Sequence, residues 1–353
     1  MESDRVRPHI LRAWKRAYNA GCDPHQARAD LLPALDTIAL LKHQTGLVDV
    51  ASPFLSALSR AAGNERHAAM LSDGSGRVLK IVADQLTVED PDFQRAGSLL
   101  SEAVAGANGI GTALAENHYV ELVGSEHYIE GFHVFTCQGV PLAGPAGQVA
   151  GVLSMSVRRP ETASKVRDVL FCASEAAECE LLAANLSKYL VTAARSRPLI
   201  EGLRQDIIQG ITQARLQIEL AAYNIADSKN PAISLDTAYQ LSLKFKRQAS
   251  VWRDLADQAT GAAEPILLAE LADDFIGLME TEARVANVKI LHARMERTMV
   301  LDDKRSVSQQ LLTAFLSAMQ SVQPASEIRV NVGSEDFFGL VRLEGVSPSG
   351  KSI

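Results

Sequence analysis

Residues 106–115 read Gly106-Ala107-Asn108-Gly109-Ile110-Gly111-Thr112-Ala113-Leu114-Ala115. An asparagine set among three glycines, running straight into Thr-Ala-Leu-Ala, describes a tight turn that opens a helix near Thr112. Such a helix N-terminus can hold an anionic group. Strand patterns surround this run. Ala68–Leu71 and Arg77–Ile81 flank Asp73-Gly74-Ser75-Gly76, a hairpin signal. Tyr119–Val123 is a further short strand, followed by Gly124-Ser125-Glu126-His127-Tyr128. Val134–Leu142, with Thr136-Cys137-Gln138-Gly139-Val140-Pro141-Leu142, and Gln148–Val157 form a second hairpin about Gly144-Pro145-Ala146-Gly147. Antiparallel strands with helices on one side predict an α+β sheet domain.

Upstream, Leu35–Leu58 is apolar at helical spacing. Residues 5–35 form a helical preface: Pro8 suits a first helical turn, Leu11, Trp14 and Tyr18 follow at helical steps, and Gly21-Cys22-Asp23-Pro24 ends the helix. The Arg7-Pro8 opening, Trp14, Gly21-x-Asp23-Pro24, the 106–115 run and Thr136–Leu142 together resemble the GAF sensor domain at the front of acetoin-type activators of sigma-54 RNA polymerase. The resemblance implies an N-terminal helical segment over 1–35 and a GAF domain over 36–160. It also implies a pocket for a small metabolite (an alcohol, ketone or similar molecule), bordered by Asn108, Thr112, His127, Tyr128, His133 and Cys137. Such activators carry a motor domain next. This chain has no Gly-x-x-x-x-Gly-Lys-Ser/Thr loop to cradle phosphate for one.

The 353 residues suggest two or three domains. Composition is that of a soluble globular protein, 47% hydrophobic and 22% charged. A net charge of -7 argues against direct nucleic-acid binding. No apolar run reaches the roughly 18 residues of a membrane span, and the first residues form no signal peptide. A cytoplasmic protein is expected, with Cys22, Cys137, Cys172 and Cys179 as reduced thiols.

The second half begins with an uninterrupted helical pattern over 161–196, a connecting signalling helix with Val166, Val169, Ala173, Ala176, Glu180 and Leu181 on one side. Residues 197–262 read as a helical hairpin turning at Asp227-Ser228-Lys229-Asn230-Pro231. Ile200, Leu203, Ile207, Ile211, Ala214, Ile218, Ala221 and Ile225 step by threes and fours, and Ala238, Leu241, Phe245, Gln248, Trp252, Leu255 and Ala259 return. Two helices bury one face only, so a homodimeric four-helix bundle is expected. Residues 263–353 read as a small α/β module, with helices from Leu267 and over Ser306–Val322 and a strand pair, Glu327–Val332 and Phe338–Leu343.

In order and spacing, residues 200–345 resemble the nitrate-sensor class of histidine kinases, a dimerising hairpin followed by an ATPase domain. The run matching the family's phosphoacceptor motif is Gln205-Asp206-Ile207-Ile208-Gln209-Gly210. Gln205 stands where the family has histidine, and an amide is no nucleophile at neutral pH. Gln310 and Ala314 occupy the places of the asparagine and its nearby glutamate, and no Asp-x-Gly-x-Gly turn follows. The resemblance therefore implies a pseudo-histidine kinase, with no catalytic residue, cofactor or resident metal.

Several readings stay open at this level. His127, His133 and Cys137 suit packed interior positions, a polar ligand or a metal, and their spacing matches no metal motif. Cys172 and Cys179, seven apart, suit a helix seam or a thiol switch across a dimer. Lys244-Phe245-Lys246-Arg247 suits a solvated face. The leading expectation is a regulatory protein signalling to a kinase, response regulator or transcription activator. The alternatives are phosphotransfer through His292, the one histidine of the second half, and redox or metal sensing through Cys137 and its neighbours.

Overall fold

Asp73 closes the first hairpin: its Oδ1 accepts hydrogen bonds from the amides of Ser75 and Arg77, tying β1 (His67–Asp73) to β2 (Val78–Ala83). With β3 (Val120–Val123), β4 (Thr136–Ala143) and β5 (Val149–Val157) these strands form one antiparallel sheet, ordered β2-β1-β5-β4-β3. The computed structural model describes residues 6–25, 30–91, 93–144, 147–192, 197–256, 262–336 and 338–348. Pro145, Ala146, Gly350 and the side chains of Gln205 and Trp252 lie outside the described residues.

Helices precede and interrupt the strands: α1 (Pro8–Asn19), α2 (Ala34–His43), α3 (Thr45–Ala62), α4 (Gln85–Val88), α5 (Glu102–Ala105) and α6 (Gly109–Glu116). They are followed by α7 (Pro160–Thr192), α8 (Arg197–Ala226) and α9 (Ala232–Ala256). The single run expected over Leu35–Leu58 is two helices, divided at Gln44.

Met1–Leu182 with Ile211–Ser242 forms one compact unit. Its sheet is covered on both faces, which is why its strands read as apolar runs. In β5, Leu153, Met155 and Val157 face α3 and α7, whereas Val152, Ser154 and Ser156 alternate to the opposite side. That other side packs Ile10, Ala13 and Ala17 of α1 against Ile110 and Ala113 of α6. Arg16 fixes the placement of α1, pairing with Glu102 and with Glu116 at 2.7 Å.

The connecting helix follows its expected stripe, with Val166, Val169, Ala173 and Ala176 buried. The hairpin differs from expectation. Ile218 and Ala221, assigned to a seam with a second copy, are buried in cis in the cluster that α3 and α7 build, and Ala214 is buried as well. Cys172 and Cys179 lie in a seam within the chain, each facing a backbone carbonyl of α9, Leu235 O and Ser242 O.

Ala183–Gly210 and Leu243–Ile353 form the second unit. Past α9 it contains β6 (Glu264–Leu267), α10 (Leu268–Val285), β7 (Lys289–Met295), β8 (Met299–Asp302), α11 (Lys304–Ser321), β9 (Glu327–Glu335) and β10 (Phe338–Val346). The expected pair β9–β10 forms, extended by the parallel β7 that carries His292; β6 and β8 make a separate ribbon. Phe275 of α10 stacks on Phe315 of α11, ring centres 6.1 Å apart. No helix among the described residues is long and apolar enough to cross a membrane.

Candidate functional site: a neutral cavity between sheet and helix α6

The 106–115 run owes its glycines to close packing. A Cβ on Gly139 of β4 would lie 1.9 Å from Gly109 O, and one on Gly111 would lie 2.4 Å from Leu100 O. Glycine is required wherever two backbones approach this nearly. Asn108 caps α6: its Oδ1 accepts from the amides of Ile110 and Gly111, each at 2.9 Å. Its Nδ2 donates to Leu100 O and Gly106 O, both at 2.8 Å, and its carbonyl accepts from Thr112 N. At this helix N-terminus, which the sequence offered as able to hold an anion, the Ile110 and Gly111 amides are taken by the protein's own Asn108 side chain.

Behind this turn lies a cavity of about 30 Å³. Roughly 10–15 Å³ of such space holds one water, so the cavity suits a molecule of few heavy atoms. Its apolar wall includes Met70, Leu100, Ile110 and Phe132, with Phe93 and Phe135 in edge-to-face contact, ring centres 5.9 Å apart. Gln94, Asn108, Cys137, Ser154 and Ser156 supply polar groups, and no charged side chain lines it among the described residues.

The polar side is wired through the sheet. Cys137 Sγ and Ser156 Oγ are 3.0 Å apart, and burial pushes the Cys137 thiol up to about 12. Ser154 Oγ donates to Gln138 O at 2.7 Å. The wholly buried Gln138 side chain reaches the other way, its Nε2 donating to Ala163 O in the first turns of α7 at 3.1 Å. A residue on the cavity wall is thereby two hydrogen bonds from the connecting helix.

Of the residues the resemblance assigned to a pocket, Asn108 and Cys137 line this cavity. Thr112 is buried beneath the cap, its Oγ1 accepting from Asn108 N. Tyr128 packs against Gly106, whose added Cβ would meet the Tyr128 Cβ at 2.4 Å. His127 is buried with Nδ1 at Gly124 O (2.9 Å) and Nε2 without a hydrogen-bond partner; desolvation lowers its pKa to about 4, so the ring is neutral. His133 meets His127 O through Nε2. Neither histidine lines the cavity with Cys137, and no three potential metal ligands converge among the described residues.

Gln94, Ser154, Ser156, Phe93 and Phe135 were not anticipated. A signal for two of them existed: in Val152-Leu153-Ser154-Met155-Ser156-Val157, two serines share one face of an otherwise apolar strand.

In the second unit, Gln310 and Ala314 line a groove of about 730 Å³ with Leu268, Val300, Leu311 and Phe338. Its lining includes Asp302 but no lysine or arginine among the described residues. His292 Nε2 is bound to Asp273 at 2.8 Å, both side chains being about half exposed.

The sequence profile of the MimR N-terminal domain matches residues 1–181. A signal-transduction and transcriptional-control protein of Clostridium beijerinckii is 32% identical over 123 residues, 34% of this chain and 19% of that one. The acetoin dehydrogenase operon transcriptional activator AcoR of Bacillus subtilis is 27% identical over 199 residues, 55% of this chain and 33% of that one. The propane 2-monooxygenase operon transcriptional activator MimR of Mycolicibacterium goodii is 29% identical over 161 residues, 44% of this chain and 26% of that one. The match therefore spans a third or less of each of these relatives.

Proposed function

The chain belongs to the MimR N-terminal domain family, and from that premise we propose that it is a signal-sensing regulator of transcription whose GAF-like domain holds a small uncharged metabolite. The uncharged lining of the α6 cavity carries this reading. Burying an ion there would leave its charge without a partner, at a cost of several kcal/mol, whereas hydroxyl or carbonyl groups would find Ser156, Gln94 and the Cys137 thiol. Two of these relatives are transcriptional activators by name and the third is a transcriptional-control protein, which supports a role in transcription. Occupancy would act by favouring one arrangement of the sheet and α7 over another, through Ser154, Gln138 and Ala163. A kinase, response regulator or transcription activator would read the outcome.

Calorimetric titration with short-chain alcohols and ketones, against carboxylates of equal size, tests the cavity. Binding is expected for the neutral compounds and lost in Ser156→Leu. Equal binding of the carboxylates overturns the reading.

We read the second unit as histidine-kinase-like without phosphotransfer, with Gln205 at the phosphoacceptor place. The groove holding Gln310 and Ala314 favours this, because no lysine or arginine lines it among the described residues to meet a nucleotide's phosphates. Titration with ATP–Mg²⁺ is expected to show no saturable heat; tight binding overturns it.

A further inference from the structure

Phe93 and Gln94 line two hollows at once. On one side is the α6 cavity of about 30 Å³; on the other is a hollow of about 590 Å³ along β2 and the chain that follows it. Both lie on the same side of the sheet, where Ile81, Ala83 and Phe93 pack against the cluster that holds Leu100 and Ile110. Ile81, Ala83, Val88 and Pro91 give the larger hollow its apolar lining. Its charged residues have partners within the chain. Lys80 meets Ser52 Oγ, Glu89 meets Gln85, Asp90 pairs with Arg66, and Arg95 donates to Pro91 O.

The chain around Phe93 is fixed at both ends. Asp84 caps α4, accepting from Thr87 N at 3.1 Å, and Gly97 N donates to Val78 O of β2 at 2.8 Å. Between these anchors the Phe93 ring is partly buried and stands edge-on to Phe135. We propose that Phe93 sets the length of ligand this sensor accepts: its ring is the partition that closes the α6 cavity, and removing it joins the cavity to the larger hollow. This rests on the reading that the cavity takes a neutral molecule. The cavity has room for roughly two or three water-sized groups. A chain whose hydroxyl is held at Ser156 therefore meets the wall after few atoms, and each further methylene must displace the ring or stay in water. Gln94, the other shared residue, is unbranched and can turn aside, whereas the ring is a rigid plate held against Phe135. With the ring gone, added methylenes enter an apolar-lined space, and each one buried raises affinity by up to about fourfold.

The test is the chain-length profile of binding to the full chain, read by ligand-observed NMR with straight-chain alcohols from ethanol to octanol. The wild type should bind propanol or butanol best and lose affinity as the chain lengthens. Phe93→Ala should move the maximum to hexanol or beyond, gaining up to about fourfold per methylene. Phe93→Leu should fall between the two, with circular dichroism unchanged in both variants. Adding Ser156→Leu to Phe93→Ala should abolish octanol binding, because the hydroxyl end still sits in the α6 cavity. One profile shared by the wild type and both variants overturns the proposal and leaves the cavity reading standing. So does octanol binding that survives Ser156→Leu. Binding of no alcohol by any of these proteins sinks the cavity reading and this proposal together.

Discussion

Arg215 of α8 grips Glu180 of α7 with both arms of its guanidinium, Nε on one carboxylate oxygen and Nη2 on the other. The same guanidinium carbon lies 5.8 Å from the ring centre of Phe54 on α3, so three helices meet at one side chain. Glu180 is buried, and burial raises its pKa despite the Arg215 partner.

Arg215→Ala is expected to cost about 2 kcal/mol, less than the 3–5 typical of a broken buried pair because the guanidinium is partly exposed. Urea unfolding reads the loss. The orphaned Glu180 carboxyl would then titrate still higher in the fold than in the unfolded chain. Its contribution is best below the unfolded value and declines as pH rises through the folded one. The variant's deficit should therefore shrink on acidification, and a deficit independent of pH would refute the assignment.

His127 predicts the opposite sign. Its folded pKa of about 4 lies below the ordinary 6.5, so between those values the unfolded chain binds the extra proton. Stability is complete above pH 6.5 and falls by roughly 3 kcal/mol towards pH 4. A His127→Phe variant should lose that slope in thermal melts taken across this range.

Gly139→Ala should be among the most damaging single-methyl changes available, because the new Cβ would sit on Gly109 O. A cost of about 3 kcal/mol or more is expected, by analogy with forced overpacking. A Gly46→Ala control, in the first turn of α3 with open space around the site and no positive φ, should cost nothing measurable. Equal losses from the two would show that α6 and β4 stand farther apart.

All four cysteines are buried, and desolvation raises the Cys137 and Cys172 thiols to about 12. Only the thiolate reacts. At about pH 8, a thiol-specific dye should label less than one equivalent in native protein, and all four in urea. Rapid native labelling would revive a thiol-switch role.

Much of the fold was legible because local chemistry decides it. Asp73-Gly74-Ser75-Gly76 announces a turn that Asp73 then closes with its own carboxylate, and Asp227–Pro231 separates α8 from α9 where the helix breakers stand. The strand order was not legible, since β1 lies between β2 and β5 through contacts distant in sequence. The four-residue strands β6 and β8 carry too few residues to show a period. Of the cavity, Asn108 and Cys137 were visible through the motif that contains them. Gln94 and Phe135 sit outside regular strands and helices, where no periodicity points inward. Helix α8 misled for a physical reason: heptad spacing marks which side is apolar, and it cannot distinguish a partner in trans from α3 and α7 in cis.

The Asn108 amide has both its oxygen and its nitrogen fully engaged inside the protein. The chamber beside it is therefore framed by the protein's own hydrogen bonds, and its frame needs no guest to form. A visiting molecule would then register as information added to a finished scaffold, and the cell could read its arrival without ever depending on it for folding.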